Sequence, residues 1–379
     1  MRSRVNLPAT IRQSLAAAAL LFALPRAPAL LNIDGTRNQL FVFGNASFAY
    51  SSNIFSDATD RADYFVTTGV GVELKRRAGI IAVDATARID YVRYRRYSEE
   101  DAVNPGLLLE FNKSGGRMTG SLTVHAFRES RSDSAINLRT NAWNFPVALS
   151  LKYPINEKYY LTSQTEYLHR QYTPTPGIVN YTDYAEGVDV YYTYTSKLDL
   201  VGGYRLRISH TTGASDTYDH WFNLGVTGGL FSKMSGSVRV GYQIRNLPDG
   251  QTFTHVNALA STTWPITRKL SLNGEVSRDF NTVATGANVD STSVSLTAIY
   301  SFNRKVDFRA GVAYGRNQFL GLDQASRRDH FISYDVGAHY KMNDHFQLGV
   351  SYAYFRNWSN LTYSAFDRQG FSVDLSSRF

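Results

Sequence analysis

Catalysis, redox work or metal binding needs particular side chains at particular spacings, and this 379-residue chain supplies few of them. It has no cysteine, which removes disulfides, thiolate nucleophiles, iron–sulfur clusters and cysteine-bound zinc. His125, His169, His210, His220, His255, His330, His339 and His345 fall in no H-E-x-x-H or comparable metal spacing. Asp219-His220 and Asp329-His330 are the candidates for proton transfer, and two such pairs would have to share one water about 3 Å away. Loop ends are polar for solvation alone, and no serine-centred hydrolase motif accompanies these pairs. Gly225-Val-Thr-Gly-Gly229 lies within a strand-like run with no helix after it, so it is not a phosphate loop. The expectation is no enzyme, no catalytic residue, no cofactor and no metal.

The other charges follow a different rule. Asp84, Arg88, Lys152, Glu166, Asp189, Arg205, Arg207, Arg239, Glu275, Arg309 and Asp335 each sit on one phase of a run whose other phase is apolar. Arg205, Arg207 and Arg239 could form a basic ladder for an anionic solute or polymer. Asp189 on the adjacent run would instead neutralise it, leaving paired structural charges. Tyr191 and Phe127, on the same polar phase, could stack sugar rings or fill space. His125 and His339 share that phase and read as hydrogen-bond partners rather than ligands.

The elements that carry these residues are strands. From about residue 39 the chain alternates apolar and polar with period two. Tyr64, Val66, Thr68, Val70, Val72 and Leu74 interleave with Phe65, Thr67, Gly69, Gly71 and Glu73; Phe346, Leu348, Val350, Tyr352 and Tyr354 interleave with Gln347, Gly349 and Ser351. Eighteen such runs extend from 39–51 to 367–379, among them 117–129, 142–153, 220–231, 269–279 and 305–317. Most have about 11–14 residues, enough for a tilted strand to cross a bilayer, which takes about 9–11. Links alternate between tight turns and longer polar loops such as 52–62, 130–141 and 318–329. That sorting describes an antiparallel up-and-down transmembrane β-barrel with short periplasmic turns. Loops of about 7–12 residues predict no large plug, so the lumen would be open or narrowed by side chains alone.

The apolar phase carries a single charge, Glu186, whereas the opposite phase mixes both signs with Gly, Ser and Thr, which suits a wet lumen. Tyr153, Tyr194, Trp264, Phe302 and Tyr340 close strands at the tight turns and predict an aromatic girdle there. Ahead of the first run, Arg2, Arg4 and Arg12 precede Leu15–Leu24 and then Ala27-Pro28-Ala29, the layout of a secretory signal peptide. The division is 1–29 signal peptide and 30–379 barrel. Losing four arginines and no acids with the signal lowers the net charge from +8 to +4, so the basic balance does not argue for nucleic acid. The ending Gly370, Val373, Leu375, Phe379 resembles the C-terminal insertion signal of bacterial outer-membrane barrels. It implies outer-membrane lipid and the barrel-assembly machinery as partners.

Tyr50-Ser-Ser-Asn-Ile-Phe-Ser56, followed by Ala62-Asp-Tyr-Phe-Val-Thr-Thr-Gly-Val-Gly71, resembles the opening of the β-barrel porin 2 family. Ala62-Asp63 stands where members usually have Ser-Asp, and Gly69-Val70-Gly71 where they have Pro-Gly. The turns at Tyr153, Tyr194 and Trp264 fit the same family. The resemblance implies an outer-membrane channel, a passive conduit for exopolysaccharide export served by polysaccharide and periplasmic export components. The alternative is a general or substrate-specific diffusion porin for small solutes.

Overall fold

The computed structural model describes residues 31–33, 38–77, 79–321 and 327–379. The expected signal peptide lies outside the described residues. A short strand, β1 (Leu31–Ile33), pairs with the start of β2 (Asn38–Ser51). There follow β3 (Asp63–Arg76), β4 (Ile81–Tyr94), β5 (Ala102–Lys113), β6 (Thr119–Asp133), β7 (Leu138–Pro154) and β8 (Tyr159–Tyr172). The middle of the chain forms β9 (Tyr181–Thr195), β10 (Leu198–Thr211), β11 (Thr217–Gly229), β12 (Ser235–Asn246), β13 (Thr252–Pro265) and β14 (Leu270–Thr282). The last strands are β15 (Asn288–Ser301), β16 (Val306–Leu320), β17 (Arg328–Lys341), β18 (Phe346–Ser359) and β19 (Phe366–Arg378).

Strands β2–β19 form a closed antiparallel barrel of eighteen strands, each bonded to its neighbour in sequence. Closure is made by β19 on β2, from Gly370↔Ser51 to Arg378↔Phe43. Phe379 completes it by exchanging two backbone hydrogen bonds with Val42, at 2.8 and 3.0 Å. Closure matters because an unpaired strand edge in hydrocarbon costs several kcal/mol per backbone group.

The burial pattern is inside-out relative to a soluble domain. Leu224, Val256 and Val240 are 74%, 57% and 53% exposed on the outer face, while Arg245 inside is fully buried. Tyr153, Tyr194, Trp264, Phe302 and Tyr340 are exposed aromatics at the tight-turn rim. The strands run past the expected spans at the long-loop rim: β6 to Asp133, β7 from Leu138, β14 to Thr282, β16 to Leu320. Above the bilayer both phases are polar, so alternation stops reporting a strand that hydrogen bonding still continues.

Two seams part toward the long-loop rim. Strands β5 and β6 stop pairing at Gly106↔Phe127, although β5 starts at Ala102 and β6 runs on to Asp133. Strands β13 and β14 pair from Pro265↔Ser271 up to Ala258↔Arg278 and then part. His255 stacks on Phe280 in the gap, centroids 4.0 Å apart. Asn257 donates to the Arg278 carbonyl, and Arg207 and Arg245 donate to the carbonyls of Phe280 and Asn281. Side chains thus satisfy backbone groups that the parted strands no longer satisfy for each other.

Candidate functional site: the barrel lumen

Alternation decides which face each side chain occupies, and all the lumen candidates lie on the inner phase. Their surroundings distinguish two sectors of the inner surface. Along β8–β14 it is filled by large charged and aromatic groups. Arg205 pairs with Glu166 at 2.6 Å, and Arg239 with Asp189 at 2.8 Å. Arg207 bridges Asp219 (2.6 Å) and Asp279 (3.2 Å), the latter four strands round the wall. Arg245 grips both oxygens of the same Asp219 at 2.6 and 2.7 Å and also reaches Asn288 at 3.1 Å. Gln243 donates to Asp279 (2.7 Å), and its own carbonyl oxygen accepts from Asn257 (2.8 Å) and meets His255 (3.0 Å). Small residues make the space: a Cβ on Gly203 would stand 1.8 Å from the Asp189 carboxylate.

The arginines read as a ladder for solute are therefore ion-paired. Tyr191 is not free to stack on sugar either, since it lies flat against Tyr160 at 4.5 Å and accepts from Arg239 at 2.5 Å. Phe127 is stacked with His125 at 4.2 Å. Elsewhere Asp84 meets Arg77 (2.8 Å), Arg88 meets Asp90 (2.8 Å), and Lys152 sits 3.8 Å above the Tyr160 ring. Glu275 is exposed to the lumen with no ion pair among the described residues. Arg309 and Asp335 are 3.8 Å apart and about half exposed. Arg245, the centre of the packed wall, lies on the same phase as Arg239, so extending the alternation by three steps would have found it.

The opposite wall, β15–β19 with β2 and β3, is lined mid-height by Ser293, Ser295, Gly311, Ala313, Ser333, Ser351, Ala353, Gly370, Ser372, Ser47 and Gly69. A cavity of about 540 Å3 lies against it below the mouth, lined among others by Asn53, Arg139, Ser333, Asp335, Ser351 and Arg368. At the tight-turn rim a second cavity of about 890 Å3 is lined by Arg304, Lys305, Lys341, His345, Arg378 and Glu73. Arg378 pairs with Glu73 at 2.7 Å, while Arg304, Lys305 and Lys341 form no ion pair among the described residues.

The mouth corrects the expectation of side-chain narrowing alone. Short as they are, the loops fold inward and bond to one another across it. Asn137, in the β6–β7 turn, donates to the Ser56 carbonyl (2.8 Å) and accepts from Ser364 (2.7 Å) and Arg327 (3.4 Å). The β6–β7 and β16–β17 loops lie nearly opposite each other in the ring, so this node crosses the opening. Asn137 and Ser56 both take left-handed backbone, φ 56° each. A second bridge runs from the Val179 N–H to the Ala284 carbonyl at 2.9 Å, beside an apolar cluster of Ala142, Tyr172, Tyr181 and Ala284. In the 52–62 loop, burial pushes the Asp57 carboxyl up, but hydrogen bonds from Thr59 and Arg61 outweigh it and hold it below the ordinary value.

The two Asp-His pairs separate by the same alternation. Asp219 and Asp329 face inward to Arg245 and Arg327, whereas His220 and His330 face outward and bond the hydroxyls of Tyr204 (2.8 Å) and Tyr314 (2.9 Å). Adjacent residues on opposite sides of a wall cannot form a dyad. No three His, Asp or Glu groups gather as a metal site among the described residues.

A closed barrel with an apolar outer belt, a polar interior and loops sorted by rim is the architecture of a porin. Residues 203–379 match the family model described as "Putative beta-barrel porin 2". This is the family that the opening motif resembles, now met in the C-terminal part of the chain. Among solved structures, OpdK of Pseudomonas aeruginosa with vanillate superposes with a TM-score of 0.54 at 9% identity, over 90% of this chain and 99% of that one. OccK5 (OpdH) of the same organism gives 0.53 at 10% identity, over 90% and 98%. OpdQ gives 0.52 at 12%, over 90% and 98%. At such identities the likeness is one of fold. No curated protein matches. Family match and architecture together place this porin channel in the bacterial outer membrane.

Proposed function

We propose that the chain is a passive diffusion channel for small solutes, with a preference for anions set at its periplasmic end. The observation that carries the reading is the roofed mouth: loops from nearly opposite walls share the Asn137 node, and the remaining space lies along the small-residue wall. A polymer would have to part those bonds along its whole passage, whereas a small molecule needs only the gaps beside them. The polar inner face argues for hydrated solutes. The export of exopolysaccharide, which the family resemblance implies, gains no support from this geometry.

The anion preference follows from charge that is not neutralised locally. The packed wall spends its arginines on carboxylates, but Arg304, Lys305 and Lys341 line the periplasmic vestibule without partners among the described residues. Unpaired positive charge on one side of a pore, here only partly offset by Asp344 in the same cavity, raises local anion concentration and lowers the barrier to anion entry. In planar bilayers under a salt gradient, the wild-type channel should show a reversal potential of anionic sign. The triple substitution Arg304→Gln, Lys305→Gln, Lys341→Gln should move it toward zero or past it with conductance largely kept. A cation-selective wild type would overturn the preference. Failure of liposomes to swell in monosaccharides would overturn the channel reading itself.

A further inference from the structure

The outer face is not uniformly apolar. Besides Glu186, which accepts from Ser163 (2.8 Å) and Thr165 (2.5 Å), it carries Arg93, Arg128, Arg278, Arg316, Arg328 and Arg356, with Asp290 and Asp367, near the long-loop rim. The sequence expectation of one charge on this face is thereby corrected. These strands outrun the bilayer, so their outward phase there meets headgroups rather than hydrocarbon. Arg278 is paired with Asp290 at 2.7 Å. On β16–β18 the situation differs. Arg316 opposes His330 in the register, Gln318 opposes Arg328, and Ile332 opposes Arg356. Arg316, Arg328 and Arg356 are all exposed, and none forms an ion pair among the described residues.

From this patch we infer a second, external site: a binding surface for the phosphate groups of an outer-leaflet glycolipid. Three features specify the occupant. Two strand spacings of about 4.8 Å put Arg316 and Arg356 on the order of 10 Å apart, so the charges form one patch rather than three isolated ones. Tyr314, Tyr334 and Tyr354 lie immediately below, which fixes the patch at headgroup depth. Arg356 lies 5.2 Å from the exposed Trp358 ring, an amphipathic floor for a sugar–phosphate. Nearby acids leave the patch net positive, since at most one of them, Asp367, offsets its three charges. Asp290, opposite Gln318, is held by Arg278 and His255, and Asp367, opposite Arg356, makes no ion pair with it. Guanidinium groups bind phosphate oxygens in paired hydrogen bonds.

Strand ends of this barrel do not all look like this. At the same height the outer face of β8–β12 presents Tyr167, His169, Tyr184, Tyr204, His220 and Tyr242, with no Lys or Arg. The phosphate-binding sector is local, and the rest of that circumference is left to hydroxyl and imidazole groups.

The test uses the full-length barrel in detergent with purified lipopolysaccharide, intact or enzymatically dephosphorylated, read by native mass spectrometry and by competition with a labelled lipid. Intact lipid should bind at least about tenfold more tightly to wild type than to the variant Arg316→Gln, Arg328→Gln, Arg356→Gln, since each basic group near such a surface contributes roughly a factor of five. The paired substitution Arg93→Gln, Arg128→Gln on the other sector should leave the tight component in place. If the triple variant fails to fold, judged by its heat-modifiable mobility on gels, the single substitutions are measured and should each weaken binding severalfold. Equal binding of dephosphorylated lipid, or full retention by the variants, would overturn the proposal. So would displacement of the lipid by millimolar inorganic phosphate, which would make the patch a free-anion site.

Discussion

Two sectors of the lumen wall are built from the same alternating strands yet solve opposite problems. Along β8–β14 the inner face is filled: Arg205, Arg207, Arg239 and Arg245 interlock with Glu166, Asp189, Asp219 and Asp279, and Arg245 is fully buried. Along β15–β19, β2 and β3 it is thinned at mid-height: Ser, Gly and Ala line much of the wall beside Arg309 and Asp335, and the sub-mouth cavity lies against them. Charge inside a barrel therefore does not by itself mark the path of a solute. Here the most heavily charged sector is a structural core made of ion pairs, and the space lies beside a wall made mainly of small residues, with Arg139, Asp335 and Arg368 at its edge. Basic groups without an ion pair among the described residues border the space at both ends, Arg368 at the sub-mouth cavity and Arg304, Lys305 and Lys341 in the vestibule.

The comparison breaks most readily at Arg245. Truncating it to Ala leaves Asp219, itself 3% exposed, with Arg207 as its remaining partner and frees the Asn281 carbonyl and Asn288 at the parted β13–β14 seam. Removing one member of a buried pair costs about 3–5 kcal/mol. Urea unfolding of the barrel refolded in vesicles should show a loss of that size for Arg245→Ala. Ser351→Ala on the other wall should change stability by less than about 0.5 kcal/mol. Similar losses at both sites would mean that the walls do not differ in kind.

The comparison sharpens in the reverse experiment. Ser351→Trp adds bulk where the cavity is lined by Ser351 and Ala353. Liposome swelling in monosaccharide should slow severalfold while folding stays intact. A bulky exchange that left swelling unchanged would move the solute path away from the small-residue wall.

Much of this division is legible in the sequence, and the illegible part has a definite physical origin. Period-two alternation assigns each residue to a face because successive Cβ atoms point to opposite sides, so all eleven lumen candidates are found on the inner phase. Neighbouring strands follow from sequence order, which brings Arg207 to Asp219 across one hairpin. Contacts that skip strands do not follow: Arg207 to Asp279, Arg239 to Asp189 and Arg205 to Glu166 depend on barrel curvature and side-chain reach, which a linear pattern does not encode. The ladder of cations was thus visible while its neutralisation was not. The parting of β13 from β14 was hidden for a related reason, since both strands keep their alternation through Asn257 and Phe280 while losing each other. At the mouth, loop length suggested openness, whereas the direction in which the short loops fold decides the matter.

That direction turns on Asn137, where loops attached to both sectors meet, and it yields the smallest and most discriminating of these effects. Its left-handed backbone would be strained in most residues, and its amide joins the Ser56 carbonyl to Ser364 and Arg327. Asn137→Gly removes the bridge and relieves the backbone; Asn137→Ala removes the bridge and adds about 1 kcal/mol of strain. If the side chain holds the roof, both variants should pass disaccharides about twofold faster than wild type, with Ala alone lowering the unfolding midpoint. If the backbone conformation holds it, Gly should behave as wild type in swelling and only Ala should leak. The two outcomes separate a roof made by hydrogen bonds between loops from one made by the shape of a single turn.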